Sequence, residues 1–217
     1  MLPTVFGNIT KKSEAKDTLK KILTQMKLIS DRGYICFSET PITMISPMFD
    51  LFSKFKDPLY APYGIGIKKD FLFEKGARHV IYGSEDDVKV INEELMWRFQ
   101  KYTPQTNDFS WLREWRIKVN ELDLSTIDKD SIVVVVDKND DLTYFKDFLL
   151  DFEDVEIDAE PDDGGCTCFF TEKYKRKLKA ISIESINMIK NCKKEDFNKI
   201  LSEQKEIEEQ YCGSGWS

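Results

Sequence analysis

The sequence carries a single histidine, His79, in 217 residues, and that scarcity removes much chemistry at once. One histidine inside the apolar run RHVIY supports neither a Ser/His/Asp relay nor an H-E-x-x-H metal motif, and a structural role is its simplest reading. Cysteine is equally uninformative for metal or disulfide chemistry. The five thiols, at 36, 166, 168, 192 and 212, are odd in number and scattered, which predicts reduced cysteines and a cytoplasmic setting. Cys166 and Cys168 form C-x-C rather than C-x-x-C and lie far from His79, so no metal site is expected. Glycine-rich phosphate loops are missing too. Gly64-Ile65-Gly66 lacks the third glycine of a dinucleotide fingerprint, and no P-loop occurs. No apolar run approaches membrane-spanning length and the start does not resemble a leader, so no membrane partner is expected. A net charge of −7 argues against broad nonspecific nucleic-acid binding, while leaving a local basic groove open.

What is present is a globular composition, 41% hydrophobic and 12% aromatic, long enough for one large domain or a domain with an appendage. A first strand is predicted within Met1–Ile9, a helix over Thr10–Ser30, and a buried strand at Tyr34–Phe37. Ile42–Phe55 reads as a helix interrupted by Pro47, with Phe49, Phe52 and Phe55 as a packing stripe. Tyr60–Lys68 is a strand whose glycines leave one face bare, which marks either close approach of another group or a bulge. A helix at Lys69–Lys75, a strand at Arg78–Tyr82 and a helix over Asp86–Lys101 follow, the last with Val90, Ile91, Leu95, Met96 and Phe99 inward. Beyond a turn-like connector at Leu122–Asp130, Ser131–Val136 reads as a central strand, and Leu142–Phe152 as a helix before a short strand at Val155–Ile157. An acidic loop at Asp158–Gly165, a basic run at Lys173–Lys179 and charged helices complete the chain. Strands and helices mix without regular alternation, so the fold class is α+β, with 1–157 as the main domain and 158–217 as an extension packed on it.

The stretch with most chemical content is Asp108–Val119, DFSWLREWRIKV. From Glu114 the pattern alternates, Trp115, Ile117 and Val119 on one side and Glu114, Arg116 and Lys118 on the other, as in a half-buried strand. A carboxylate thus lies beside a guanidinium near aromatic surface, where it can be fixed to meet developing positive charge. A purely structural ion pair accounts for the same residues.

The ordered segments YICFSETP, YGIGIKKDFLFEKGARHVIYG, WLREWRIKV and SIVVVVDKND resemble bacterial abortive-infection proteins of the AbiGi type and a related bacterial domain. That family is in turn distantly similar to DarT-like ADP-ribosyltransferases. The resemblance covers roughly residues 1–140. It implies a split antiparallel sheet of the ADP-ribosyltransferase type flanked by helices, with NAD as substrate in a cleft; the helical C-terminal extension read from the residues lies outside it. It further implies an antiviral defence role, abortive infection or toxin–antitoxin in kind.

Under that resemblance Glu114 is the catalytic carboxylate, beside the oxocarbenium-like state of N-glycosidic cleavage. Tyr63 would stack on nicotinamide, Ser38 and Thr40 would contact ribose, and Arg78 a diphosphate. The first-strand histidine usual in such transferases is replaced, since the matching stretch reads Gly7-Asn8-Ile9-Thr10, with Asn8 at its place and Thr10 following. Asparagine can still donate to a ribose hydroxyl. Plainer roles stand beside each of these: core packing for Tyr63, helix capping for Ser38 and Thr40, a local ion pair for Arg78. The implied acceptor is a nucleic acid or a protein. The alternative is a noncatalytic antitoxin or sensor module that binds a partner from the same defence locus.

Overall fold

The β-branched run Ile132–Val136 has no polar face, and a strand of that kind needs neighbours on both sides and cover on both faces. The computed structural model supplies them; it describes residues 4–5, 12–52, 54, 60–104, 106, 108–162, 165–191, 193 and 195. The first half runs β1 (Thr4–Val5), α1 (Lys12–Gln25), β2 (Lys27–Ile29), β3 (Ile35–Ser38), α2 (Ile42–Phe52), β4 (Gly64–Ile67), α3 (Lys69–Glu74), β5 (Arg78–His79), β6 (Ile81–Gly83) and β7 (Phe99–Lys101). The second runs β8 (Glu114–Ile117), β9 (Glu121–Asp123), β10 (Ile132–Val136), α4 (Asn139–Tyr144), α5 (Lys146–Leu149), β11 (Leu150–Asp162), β12 (Gly165–Arg176), β13 (Lys179–Ser182) and α6 (Ile183–Asn191).

Seven strands form the main sheet in the order β13-β10-β4-β1-β3-β8-β5. Every pairing in it is antiparallel except β10 with β13, so the architecture is α+β with a parallel pair at one edge. One face buries Phe37, Ile65, Ile67, Trp115, Ile117, Val134 and Val136 beneath Leu19 and Leu23 of α1, Leu72 of α3 and Phe145 between α4 and α5. The other face carries Val133 and Val135, covered by Ile45 and Phe49 of α2 and by Ile183 and Ile186 of α6. Pro47 sits inside α2 without breaking it. Proline cannot donate to the carbonyl four residues back, and Lys190 Nζ from α6 donates to that carbonyl, on Thr43, at 3.4 Å. The bare strand β4 pairs with β10 in unbroken register, so its glycines mark no bulge.

Several local expectations change. The first helix ends at Gln25, because Met26 turns the chain at φ 49° and Lys27–Ile29 pairs with β9 inside the expected connector. Arg78–Tyr82 is two short strands, β5 on β8 and β6 on β7, with the Val80 N–H between them donating to the Glu114 carbonyl. Asp86–Lys101 is not a helix but two 3-10 turns followed by β7, and Val90 is 84% exposed. Asn92 caps the Glu94 N–H and Asp87 accepts from Ser84, local bonds that compete with helix propagation. Leu142–Phe152 breaks at Phe145 and enters a long hairpin of β11 and β12, so the chain beyond residue 157 is not wholly helical. Acid faces base across that hairpin, with Asp151 opposite Lys175 and Asp154 opposite Lys173, and the Phe152 ring meets Tyr174 edge-on at 5.6 Å. Residue 157 falls within β11, and β13 beyond it joins the main sheet. The first strand beyond Thr4–Val5, Phe55 and the C-terminal tail lie outside the described residues.

Phe37→Ala, which empties a buried site in strand β3, is expected to lower unfolding free energy by about 3–5 kcal/mol. Val90→Ala should stay within about 0.5 kcal/mol of the parent. Urea denaturation of both variants checks this pair, and a large loss at Val90 would restore the helix.

Candidate active site

Strand β8 presents two unlike faces. Register sets Glu114 opposite Ser38 and Arg116 opposite Cys36, while Trp115 lies between Phe37 and His79. The Glu114 face was expected to be the wet side of a half-buried strand. It is buried instead, with the Arg116 and Glu114 side chains only 5% and 12% exposed.

A buried guanidinium must be satisfied at nearly every donor. Arg116 Nε donates to Glu114 Oε1 at 2.9 Å, one terminal nitrogen donates to the Trp97 and Phe99 carbonyls, and the other to Gln100 Oε1. Its plane lies over the Tyr34 ring at 4.5 Å. Burial opposes the charge, but Glu114 outweighs burial and raises the Arg116 pKa. The pair borders a cavity of about 230 Å³ whose walls include Tyr34, Cys36, Ser38, Tyr60 and Phe109. Burial first, and then the Glu114 charge, push the Cys36 thiol up to about 12 and the Tyr82 phenol to about 12, and raise Tyr60 as well.

A second cavity, of about 440 Å³, lies between α1, β2 and the starts of β3 and β4. Arg32, Tyr34 and Cys36 line both, so the two adjoin.

The residues singled out from sequence do not all meet. Glu114 and Ser38 share the smaller cavity, and Tyr63 lines the larger, its hydroxyl donating to Asp141 Oδ2 at 3.0 Å. Ser38 Oγ donates to the Leu112 carbonyl and accepts from the Thr40 N–H, and Thr40 Oγ1 donates to the Trp111 carbonyl. These hydroxyls staple the end of β3 to the turn that leads into β8. Arg78 lines neither cavity; it donates to the Phe73 and Ala77 carbonyls and stacks on the Phe73 ring at 4.2 Å. Asn8 and Thr10 lie outside the described residues.

Neither the family models, nor the curated proteins, nor the solved structures contain a match to this chain. What the site can do is therefore argued from its own geometry.

Sequence reasoning passed over Glu39, the acid in FSETP. It follows β3 on the Trp115 face and is only 3% exposed, with its N–H donating to the Leu112 and Arg113 carbonyls. Lys69 Nζ reaches Oε1 at 2.8 Å and Trp115 Nε1 reaches Oε2 at 3.0 Å. Arg113 and His79 approach Oε2 at 3.5 and 3.9 Å. An acid between a buried strand and a Thr-Pro helix start was the available signal, because such a carboxylate must find donors. Tyr34, Tyr60, Gln100 and Phe109 were also missed as cavity walls; only the tertiary fold brings them to Glu114.

Burial raises the Glu39 pKa, but the Lys69 and Trp115 hydrogen bonds and the Lys69 and Arg113 charges more than reverse this, holding it below its ordinary 4.5. A depressed carboxylate pKa stabilises the fold above the unfolded-state value, and that contribution is lost as pH falls through the folded-state value. Unfolding free energy should therefore fall below about pH 4.5. In Glu39→Gln that acid limb should be shallower in urea titrations at stepped pH, and an unchanged limb would remove Glu39 from this role.

Cys36 should alkylate slowly with iodoacetamide at pH 8, because both burial and Glu114 oppose its thiolate. Glu114→Gln should speed the reaction several-fold, read by peptide mass spectrometry. Equal rates would show that burial alone protects the thiol.

Proposed function

We propose that this chain is an ADP-ribosyltransferase-like protein of bacterial anti-phage defence, binding NAD across the two adjoining cavities with Glu114 as catalytic carboxylate. One observation carries this reading. A carboxylate only 12% exposed, fixed by a buried arginine of its own strand, borders a cavity walled by tyrosine and phenylalanine rings.

In such a reaction the bond from ribose C1′ to the nicotinamide nitrogen breaks, and its electron pair leaves with nicotinamide. Positive charge develops on the ribose; a lone pair of the acceptor then bonds to C1′, and the acceptor loses a proton. Glu114 would accept from a ribose hydroxyl and stabilise that charge. Arg116 is a positioning residue, since Glu114, two carbonyls and Gln100 already occupy its donors. The Tyr34 and Tyr60 rings suit stacking on a planar base. Arg32, exposed where the cavities meet, suits the diphosphate between the two halves of the dinucleotide. A nucleic acid or a protein would serve as acceptor.

A second reading has its own support. Ser38, Thr40 and Arg78 are committed to backbone carbonyls, which leaves few polar side chains turned toward a ligand. That favours a noncatalytic antitoxin or sensor module holding a partner from the same defence locus.

NAD binding and nicotinamide release by the purified chain, beside Glu114→Gln, separate the two. The transferase reading expects saturable binding by both proteins and nicotinamide release at least about a hundredfold slower in the variant. No binding to either protein at millimolar NAD would set that reading aside in favour of the module.

A further inference from the structure

We propose a second ligand site on the opposite face of β8, an anion site for a phosphate monoester formed by Lys69, His79 and Arg113 above the buried Glu39. The three side chains come from α3, β5 and the residue before β8, and each approaches one carboxylate within 4 Å. Glu39 is the only ion-pair partner of each among the described residues, so one negative charge serves both Lys69 and Arg113, with the His79 imidazole beside them. In a chain of net charge −7, this local excess stands against the overall balance.

The groups are also accessible to solvent. Glu39 is 3% exposed, whereas Lys69, Arg113 and His79 are 37%, 50% and 56% exposed. The buried acid thus anchors the inner side of the cluster and leaves donors toward solvent. His79 is braced against Trp115, ring centroids 4.1 Å apart, and its carbonyl accepts from Arg98 Nε.

Arg113 adds a separate mark. Its backbone is left-handed, φ 47°, a conformation that asparagine or glycine adopts at less cost. An arginine kept there directs a planar donor fork to Glu39 and to the space beyond, and that fork matches two oxygens of a phosphate. Lys69 supplies a point charge and His79 an N–H donor, together enough for a doubly charged terminal phosphate. The proposal does not depend on the NAD reading, because the Glu114 cavity opens on the other face of the strand.

The single histidine makes the test direct. In a tag-free protein, the one imidazole signal in proton–nitrogen NMR reports this site alone. Titration with inorganic phosphate at pH 7 should shift it saturably, with half-saturation at or below about 1 mM. Arg113→Asn, which tolerates the left-handed backbone, should weaken binding at least about tenfold in a variant whose amide proton–nitrogen spectrum remains that of the folded parent. A shift that never saturates, or that is the same in the variant, overturns the proposal. Short oligonucleotides with and without a 5′-phosphate distinguish the sources. Tighter binding of only the phosphorylated strand assigns the monoester to a nucleic-acid end, and free phosphate binding as well as that strand assigns it to a small metabolite. Equal binding of both strands with no response to free phosphate rejects a monoester site.

Discussion

The interaction on which most of this structure depends is the enclosure of the Arg116 guanidinium. A cation at 5% exposure is tolerated only with its donors met, and here they reach a carboxylate, two main-chain carbonyls and an amide oxygen. The carbonyls belong to Trp97 and Phe99, at the end of the segment that sequence periodicity assigns to a helix. Carbonyls inside an α-helix are already engaged by N–H groups four residues on. Arg116 therefore stabilises the path of residues 93–101, a 3-10 turn and a short strand in place of an α-helix, and that path closes one wall of the Glu114 cavity through Gln100. One buried charge sets the local backbone, the aim of Glu114 and the shape of the cleft together.

Strand β8 then works as a divider. Its alternation places two charge clusters back to back, Glu114 with Arg116 on one face and Glu39 with Lys69, Arg113 and His79 on the other, where Trp115 also packs. Both depend on the turn at Ser110–Leu112, to which the Ser38 and Thr40 hydroxyls are tied. Those hydroxyls, read from the sequence as ribose contacts or helix caps, hold the end of β3 to that turn. One turn thus positions both clusters although they lie on opposite faces of the strand.

The sequence was legible where one face or both must be apolar. Ile132–Val136, Ile35–Ser38 and Glu114–Ile117 all appear as strands, and Lys69–Glu74 ends before Gly76 at φ 94°. It was illegible where partners distant in sequence decide. The segment 86–101 has helical spacing, yet β7 pairs with β6 and Arg116 takes its carbonyls. The hairpin was legible in part: Asp154 to Asp162 alternates acid with Val155, Ile157, Ala159 and Pro161, and Val155–Ile157 reads as a strand, but the density of charge from Asp158 onward reads as a loop. The C-x-C pair falls within β12, where register sets Cys166 opposite Pro161 and Cys168 opposite Ala159, so its spacing is the period of a strand. Glu114 was legible as a candidate because its strand was; Glu39 left only the weaker signal of an acid set between a buried strand and Thr40-Pro41, and its importance lies in burial.

Burial also separates the two glutamates chemically. Both oxygens of Glu39 face donors, Lys69 on one and Trp115, Arg113 and His79 on the other. A carboxylate so fully engaged has little left to offer a reacting molecule, and its effect is to hold cations in place. Glu114 gives Oε1 to Arg116, takes a weak hydrogen bond from the Cys36 thiol, and borders the cavity beside Ser38 and the aromatic walls. Groups that feel its charge, Cys36, Tyr60 and Tyr82, all lie around that space. Stabilising a transient positive charge requires a carboxylate fixed in orientation but not consumed by fixed partners. Of the two, Glu114 meets that condition and Glu39 does not; under the proposed function bond breaking would belong to the Arg116 face, and the proposed anion site lies on the other.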